Sequence, residues 1–470
     1  PHLVAEVAER ILRIDDDHIE AICHLAWADL MRGGDLETSR ANVAGLIARH
    51  GDRPAAVALA FEIARRLGRR EEMENFQARL DAVIRMDWTA ARLSADLFVA
   101  MNQFDRAGEL VNRFLDRNPD NDSALKYLAT VLFQEGDFRA GHRILGQVLA
   151  MGHDFPTLSM VYGLNAFRLG DVETFFREHH NRWQRDGSEK IWDVPAPEWK
   201  GGAVPAGKLL VFSEQGVGDH VMYDSCFADL AKYARDVIIE TLPRIAPLFQ
   251  RSFPQYQVVT RSALPPDWSV ETIAAKAAAA DLPMLIGGDI EHLPGRAGFL
   301  VPDANLMTNL RDRYRARFPG KRIIGISWRS GNRDSAAIRS LDLPYWKQLL
   351  DQPDCAFVSL QYGDISRDLE ELKEQLGDDI YGRVYWDREI NPLGNLDPFA
   401  AQIAAVDLVI SVDNSTVHFA GGLGKPCWVM VPINSDWRWQ LDRADTAWYE
   451  SLELFRQDKA SGWDDVIGRI

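Results

Sequence analysis

The sequence predicts an α-solenoid followed by an α/β body built in two parts. Three observations carry this. A short turn recurs at one spacing through the first third of the chain. From Lys208 onward, apolar strand-like runs alternate with helical patterns. Near the end, residues 408–432 read as a strand, a polar turn, a short helix and a second strand, the unit from which parallel sheets are built. At 470 residues the chain is too long for one core, so two or three domains are expected.

The turns are Gly34-Asp35-Leu36, Gly68-Arg69-Arg70, Asn102-Gln103-Phe104, Gly136-Asp137-Phe138 and Gly170-Asp171-Val172, each 34 residues after the last. Apolar residues at helical spacing flank them. A helix–turn–helix period of this length is the signature of tetratricopeptide repeats. It divides residues 1–187 into repeats near 20–53, 54–87, 88–121, 122–155 and 156–187, with a capping helix before Glu20. Stacked helix pairs leave a groove that suits a protein partner, or else form a rigid spacer or the surface of a homo-oligomer. The run Asp15-Asp16-Asp17 reads as a solvated edge. Residues 188–206, with Pro195, Pro197 and Pro205 among glycines and tryptophans, read as a linker.

The body then follows in order. Residues 208–213 form a strand that runs into Gly216-Val217-Gly218-Asp219-His220 and a helix reaching about Tyr233. Strand 236–241, helix 243–253 and strand 257–260 come next. Residues 274–280 are alanine-rich and read as a helix or helix end. An Arg-rich helix at 302–321 marks a break. After it come strand 322–328, helix 345–350, strand 356–360, a charged helix 367–376, a short strand near Val384, helix 398–405 and the closing unit at 408–432. Two successive strand–helix sets imply two Rossmann-like halves facing a cleft, at 207–305 and 306–470.

Composition narrows the partners. Hydrophobic content of 46% with 26% charged residues is that of an ordinary globular chain. A net charge of −16 argues against a general nucleic-acid or anionic-membrane surface, though not against a local cationic pocket. The four cysteines are far apart and form no CxxC, so neither a disulfide framework nor a zinc site is expected, and a cytoplasmic location fits. No run of about 18 apolar residues suggests a membrane span.

Two stretches carry a family resemblance. Gly216-Val217-Gly218-Asp219 after the first strand, and Asp413-Asn414-Ser415-Thr416-Val417-His418-Phe419-Ala420-Gly421-Gly422-Leu423-Gly424-Lys425-Pro426, resemble the hallmark motifs of the heptosyltransferase-like glycosyltransferases, family 9. Residues 324–341 and the aromatic stretch Trp437-Arg438-Trp439 are similar to the bacterial branch that joins tetratricopeptide repeats to this domain. The order of parts also resembles the O-GlcNAc transferases, in layout only. Two departures stand out: Asn414 where Thr or Ser is common, and Gly421-Gly422 where alanine is usual. The resemblance implies a GT-B fold with the nucleotide-sugar held mainly by the C-terminal half. It further implies metal-independent, inverting transfer with no cofactor, and a protein acceptor, with a flagellin-like surface protein as one example. Transfer to a glycan or lipid-linked saccharide, and an inactive transferase-like scaffold, are the competing readings.

Glycosyl transfer needs a base for the acceptor and positive charge for the leaving diphosphate. Asp219 sits where the family places its base, and equally where a helix takes its N-terminal cap; His220 is the alternative base. Gly216 and Gly218 let the backbone approach a ligand. Arg329, Arg333 and Arg339 follow a strand and suit phosphate oxygens, or form surface ion pairs. Asn414, Ser415 and Thr416 open a helix whose N–H groups suit an anion, or simply cap it. Asp413 orients the donor sugar or the loop, His418 one turn on reaches for the diphosphate or fills the core, and Gln361 touches the base or ribose. The tryptophans after the second motif read mainly as core.

Overall fold

In the computed structural model, residues 2–15, 18–84, 87–152, 156–184, 194–204, 206–260, 273–287, 296–331, 336–458 and 462–470 are described. The chain divides into two compact units, Pro1–Leu158 and Ser159–Ile470.

The first unit is helical throughout its described length. It contains α1 (His2–Leu12), α2 (Ile19–Arg32), α3 (Leu36–His50), α4 (Pro54–Arg66), α5 (Arg70–Ile84), α6 (Trp88–Ala100), α7 (Phe104–Leu115), α8 (Asp122–Glu135) and α9 (Phe138–Ala150). Each helix packs on the next, and α4 and α6 also pack together, so the unit is a solenoid of helix pairs. Its core is one continuous apolar cluster from Ile22 to Val148. The recurring turn has a backbone cause. Gly68, Asn102 and Gly136 have φ of 70°, 56° and 90°, and in the first repeat Gly33 takes this role at 69°. Asparagine is among the few other residues that tolerate this left-handed conformation, so Asn102 preserves the period without glycine.

The second unit opens with α10 (Pro156–Arg168) and α11 (Val172–His179), followed by a 3-10 turn, His180–Gln184. The repeat pattern and the compact unit therefore end at different places. Residues of the fifth pair pack into the body: the Phe167 ring lies 5.2 Å from Trp437 and 5.6 Å from Trp448, and Phe175 lies 5.0 Å from Trp437. The described part of the linker is packed too. Trp199 is buried, and its backbone N–H donates to Lys276 O at 2.7 Å.

The first sheet comprises β1 (Lys208–Phe212), β2 (Asp236–Thr241), β3 (Gln257–Thr260) and β4 (Ile273–Ala278), with α12 (Val217–Asp224), α13 (Ala246–Ser252) and α14 (Leu282–Leu285). All its pairings are parallel, in the order β3-β2-β1-β4. Here one expectation fails. The alanine-rich residues 274–280 are mostly strand β4, not helix. Position overrides propensity: the segment lies between β1 and the linker bridge at Glu198, where its main-chain groups find partners.

The second sheet follows α15 (Ala304–Arg317). It contains β5 (Arg322–Ser327), β6 (Cys355–Ser359), β7 (Val384–Tyr385), β8 (Leu408–Val412), β9 (Cys427–Val431) and β10 (Leu452–Arg456), and its helices are α16 (Ala336–Arg339), α17 (Lys347–Leu350), α18 (Ser366–Tyr381), α19 (Leu396–Ala405), α20 (Ser415–Gly422) and α21 (Gly462–Arg469). The order β10-β9-β8-β5-β6-β7, all parallel, is a complete doubly wound Rossmann order. The body is thus the two-sheet arrangement expected of a GT-B fold. Strand β10 is absent from the sequence reading. The terminal helix α21 packs on α17 and β10, with Val466 and Ile467 in the second sheet's core. Among the described residues no helix is long and apolar enough to cross a membrane.

Candidate active site

Open α/β sheets bind ligands at the carboxyl ends of the strands where the strand order reverses. In the second sheet that point lies between β5 and β8. Their register pairs Ser327 with Ser411, so the chain leaves both strands side by side. The loops that follow, with Ser330 and Gly331 after β5 and Asp413, Asn414 and Ser415 after β8, line a cleft of about 460 Å³. The opposite wall comes from the first sheet: Gly216, Val217, Gly218 and Asp219 after β1, and Arg244 after β2. Arg339, Asp436 and Arg438 complete the charged lining, with His418 beside them.

Asp219 is the third residue of α12. Its Oδ2 accepts from Gly216 N–H at 3.1 Å, and its Oδ1 forms an ion pair with Arg438. The capping role therefore holds, and the carboxylate still faces the cleft. Arg438 continues to Asp436 Oδ1 at 2.6 Å. Arg339 reaches Asp436 at 2.8 Å and Asp413 at 3.4 Å. Burial would raise both carboxyls. In Asp436 the adjacent Arg438 and Arg339 outweigh it and hold the group well below the usual carboxylate range; in Asp413 burial prevails and pushes the carboxyl up.

The α10–α11 segment positions both sides of this network. Arg168 donates to Ser435 O at 2.9 Å, bracing the loop that carries Asp436 and Arg438. Arg182 makes a two-pronged pair with Glu214 at 2.7 and 2.9 Å and a further bond to Asp281 at 2.7 Å. Glu214 leads directly into the turn before Asp219.

The departures from the family motif have local causes. Asn414 Oδ1 accepts from Thr416 N–H at 2.9 Å, while its Nδ2 donates to Ser327 Oγ at 2.8 Å and Arg329 O at 3.0 Å. An amide caps the helix and still has two N–H donors for the β5 strand and its loop, where a hydroxyl has one. At Gly421 a Cβ would stand 2.3 Å from the Tyr449 ring, whose hydroxyl lies 3.2 Å from His418 Nδ1. Gly218 is required for a similar reason, since a Cβ there would meet His418 Cδ2 at 2.8 Å. Glycine at these two positions lets α12 pack against the histidine and the Tyr449 ring pack against α20 beside it.

His418 stacks on Trp439 at 5.4 Å and is held neutral, its pKa lowered to about 4 by burial and then by Arg438. The unfolded chain protonates this imidazole near its ordinary 6.5, but the folded chain does so only near 4. Stability is therefore expected to fall as pH drops through that window, by up to about 3 kcal/mol. Urea unfolding at stepped pH checks this against His418→Gln, which should lose that part of the slope. Equal slopes in the two proteins would contradict it.

Several expected site residues lie elsewhere. The Arg329 side chain turns away to Asp368 at 2.9 Å and does not line the cleft. Gln361 is buried, and its amide is spent on the β5 loop, accepting from Arg329 N–H at 2.8 Å and Trp328 N–H at 2.9 Å. It braces the loop and does not line the cleft. Thr416 and His220 are buried and do not reach the cleft, so neither offers its side chain to a ligand there. Trp437, Trp439 and Trp448 are buried, as their core reading requires. Arg333 lies outside the described residues, as do Asp16 and Asp17. The sequence reading missed Arg244, Asp436 and Arg438. The first two carried no signal; Arg438 lay inside a stretch already marked by its tryptophans. Among the described residues no group of His, Cys, Asp and Glu is placed to hold a metal ion.

Comparison with known proteins bears on both units. Residues 92–138 match the tetratricopeptide repeat model. This match lies within the helical solenoid of the first unit. The chain is 26% identical over 427 residues to Protein FlbA of Caulobacter vibrioides, a match that covers 79% of this chain and 70% of that one. It is also similar to the ADP-heptose LPS heptosyltransferase II of E. coli, at a TM-score of 0.37 and 12% identity, covering 54% of this chain and 92% of that one. A glycosyl transferase of family 9 from Veillonella parvula is similar at a TM-score of 0.37 and 12% identity, over 55% and 88% of the two chains.

Proposed function

We propose that this chain is a glycosyltransferase that moves a sugar from a nucleotide-sugar donor to a protein acceptor held by the repeats. The observation that carries this reading is the composition of the cleft. A carboxylate from the first sheet faces three arginines and the start of helix α20, at the carboxyl ends of two parallel sheets.

The chemistry runs as follows. Asp219 removes the proton from an acceptor hydroxyl as that oxygen bonds to the anomeric carbon of the donor. The bond from that carbon to the phosphate oxygen breaks, and its electron pair leaves on the nucleoside diphosphate. Arg339, Arg438 and Arg244 meet the developing negative charge, helped by the N-terminus of α20 at Ser415. Attack opposite the leaving group inverts the anomeric carbon. On this reading the arginines supply the charge that a divalent cation provides in other transferases, so the reaction is metal-independent. Asp413 and His418 position Arg339 and the first turn of α20.

The test is turnover of the full chain with UDP-, GDP-, ADP- and CMP-linked sugars, followed as release of the nucleotide. At least one donor should be turned over. Failure of every donor class, with and without a protein extract as acceptor, would contradict the proposal.

A further inference from the structure

Both oxygens of Asp219 are occupied. Gly216 N–H holds Oδ2 at 3.1 Å, and the Arg438 guanidinium holds Oδ1. An acceptor hydroxyl that approaches this carboxylate meets the Arg438 guanidinium already seated on Oδ1 and must compete with it for that oxygen. Arg438 is anchored independently of Asp219. Its guanidinium bonds Asp436 at 2.6 Å and lies over the Trp437 ring, 4.5 Å from the centroid. It can therefore give up one carboxylate without leaving the cleft.

Charge counting shows what would make it do so. Three arginines (Arg244, Arg339, Arg438) face three aspartates (Asp219, Asp413, Asp436) across the cleft. Arg339 is already shared between two of those aspartates. Among the described residues no ion pair reaches the Arg244 side chain. A nucleoside diphosphate brings at least two negative charges, and Arg244 answers only one. The second must come from a guanidinium now committed to a carboxylate, and Arg438 has the other anchor.

Resting on the reading of this cleft as a donor site, we infer that Arg438 gates the base. In the empty cleft it holds Asp219 inactive, and the donor diphosphate draws the guanidinium off Asp219. Proton acceptance then begins only once a donor is seated.

Competition for one guanidinium has a measurable consequence. Asp219 and the diphosphate must weaken each other through Arg438, and the coupling is reciprocal. Direct repulsion between Asp219 and the diphosphate would act in the same direction, so a double-mutant cycle is needed. Calorimetry with whichever of UDP, GDP, ADP and CDP binds the wild type most tightly supplies it. Asp219→Asn should tighten binding by roughly 5- to 50-fold. Arg438→Gln should weaken it, and adding Asp219→Asn to Arg438→Gln should then change affinity by less than about twofold. An equal gain in both backgrounds would assign the effect to plain repulsion and overturn the gate. So would no gain in either. If Arg438→Gln does not fold, Arg438→Lys replaces it. Lysine keeps the charge but not the fork, so the gain from Asp219→Asn should shrink at least threefold, and an undiminished gain overturns the inference. Absence of binding by all four nucleotides would instead sink the donor-site reading itself.

Discussion

Asp219→Asn should lower the rate of sugar transfer by about 100-fold or more, the usual loss when a general base is removed. The substitution is conservative where structure is concerned. An asparagine oxygen still accepts from Gly216 N–H, so the start of α12 keeps its cap. What disappears is the ability to take a proton from the acceptor, together with the ion pair to Arg438. Single-turnover measurement with a bound donor separates this from binding, because the chemical step slows while the donor stays seated. A variant rate within about threefold of wild type would remove Asp219 from the reaction and leave it a helix cap only.

The second large effect is on stability. Arg182→Ala should destabilise the second unit by about 3–5 kcal/mol, the cost of leaving one partner of a buried ion pair unpaired. The side chains of Arg182 and Glu214 are only 6% and 5% exposed, so water cannot take the place of the lost guanidinium. Because Glu214 leads into the Asp219 turn, activity should fall before the fold does as urea is raised. The double variant Arg182→Met with Glu214→Gln should recover part of the loss, since the most deeply buried carboxylate is then neutral and only the half-buried Asp281 is left without the guanidinium. Urea unfolding that showed less than about 1 kcal/mol for Arg182→Ala would contradict this role.

Much of the fold is legible in the residues, and for identifiable reasons. The 34-residue period shows because each turn needs one residue with positive φ, and glycine or asparagine marks that place. Strands β2, β8 and β9 lie where their apolar runs lie, since central parallel strands are buried on both faces. Strand β4 is hidden because alanine carries no strand signal of its own, and only its neighbours decide the matter. The destination of α21 depends on which surface its Val466–Ile467 face meets, which local pattern does not specify.

The site divides along the same line. Asp219, Asp413, Ser415 and His418 are legible because they sit at fixed offsets from strand ends. Arg329 and Arg339 both follow β5 and look alike in sequence. Their fates are set by Asp368 on α18 and Asp436 on a distant loop. Arg244 and Arg438 enter the cleft through loops far apart in the chain, and only the packing of the two sheets brings them together.

Calorimetric titration of UDP, GDP, ADP and CDP into the wild type, Arg339→Ala and Arg329→Ala puts the cleft itself on trial. At least one nucleoside diphosphate should bind. Arg339→Ala should weaken that binding by about 1.5–3 kcal/mol, as loss of a charged hydrogen bond does, while Arg329→Ala stays within about threefold of wild type. No binding to the wild type, or a loss for Arg329→Ala as large as for Arg339→Ala, would show that the anion site is not where these two sheets meet.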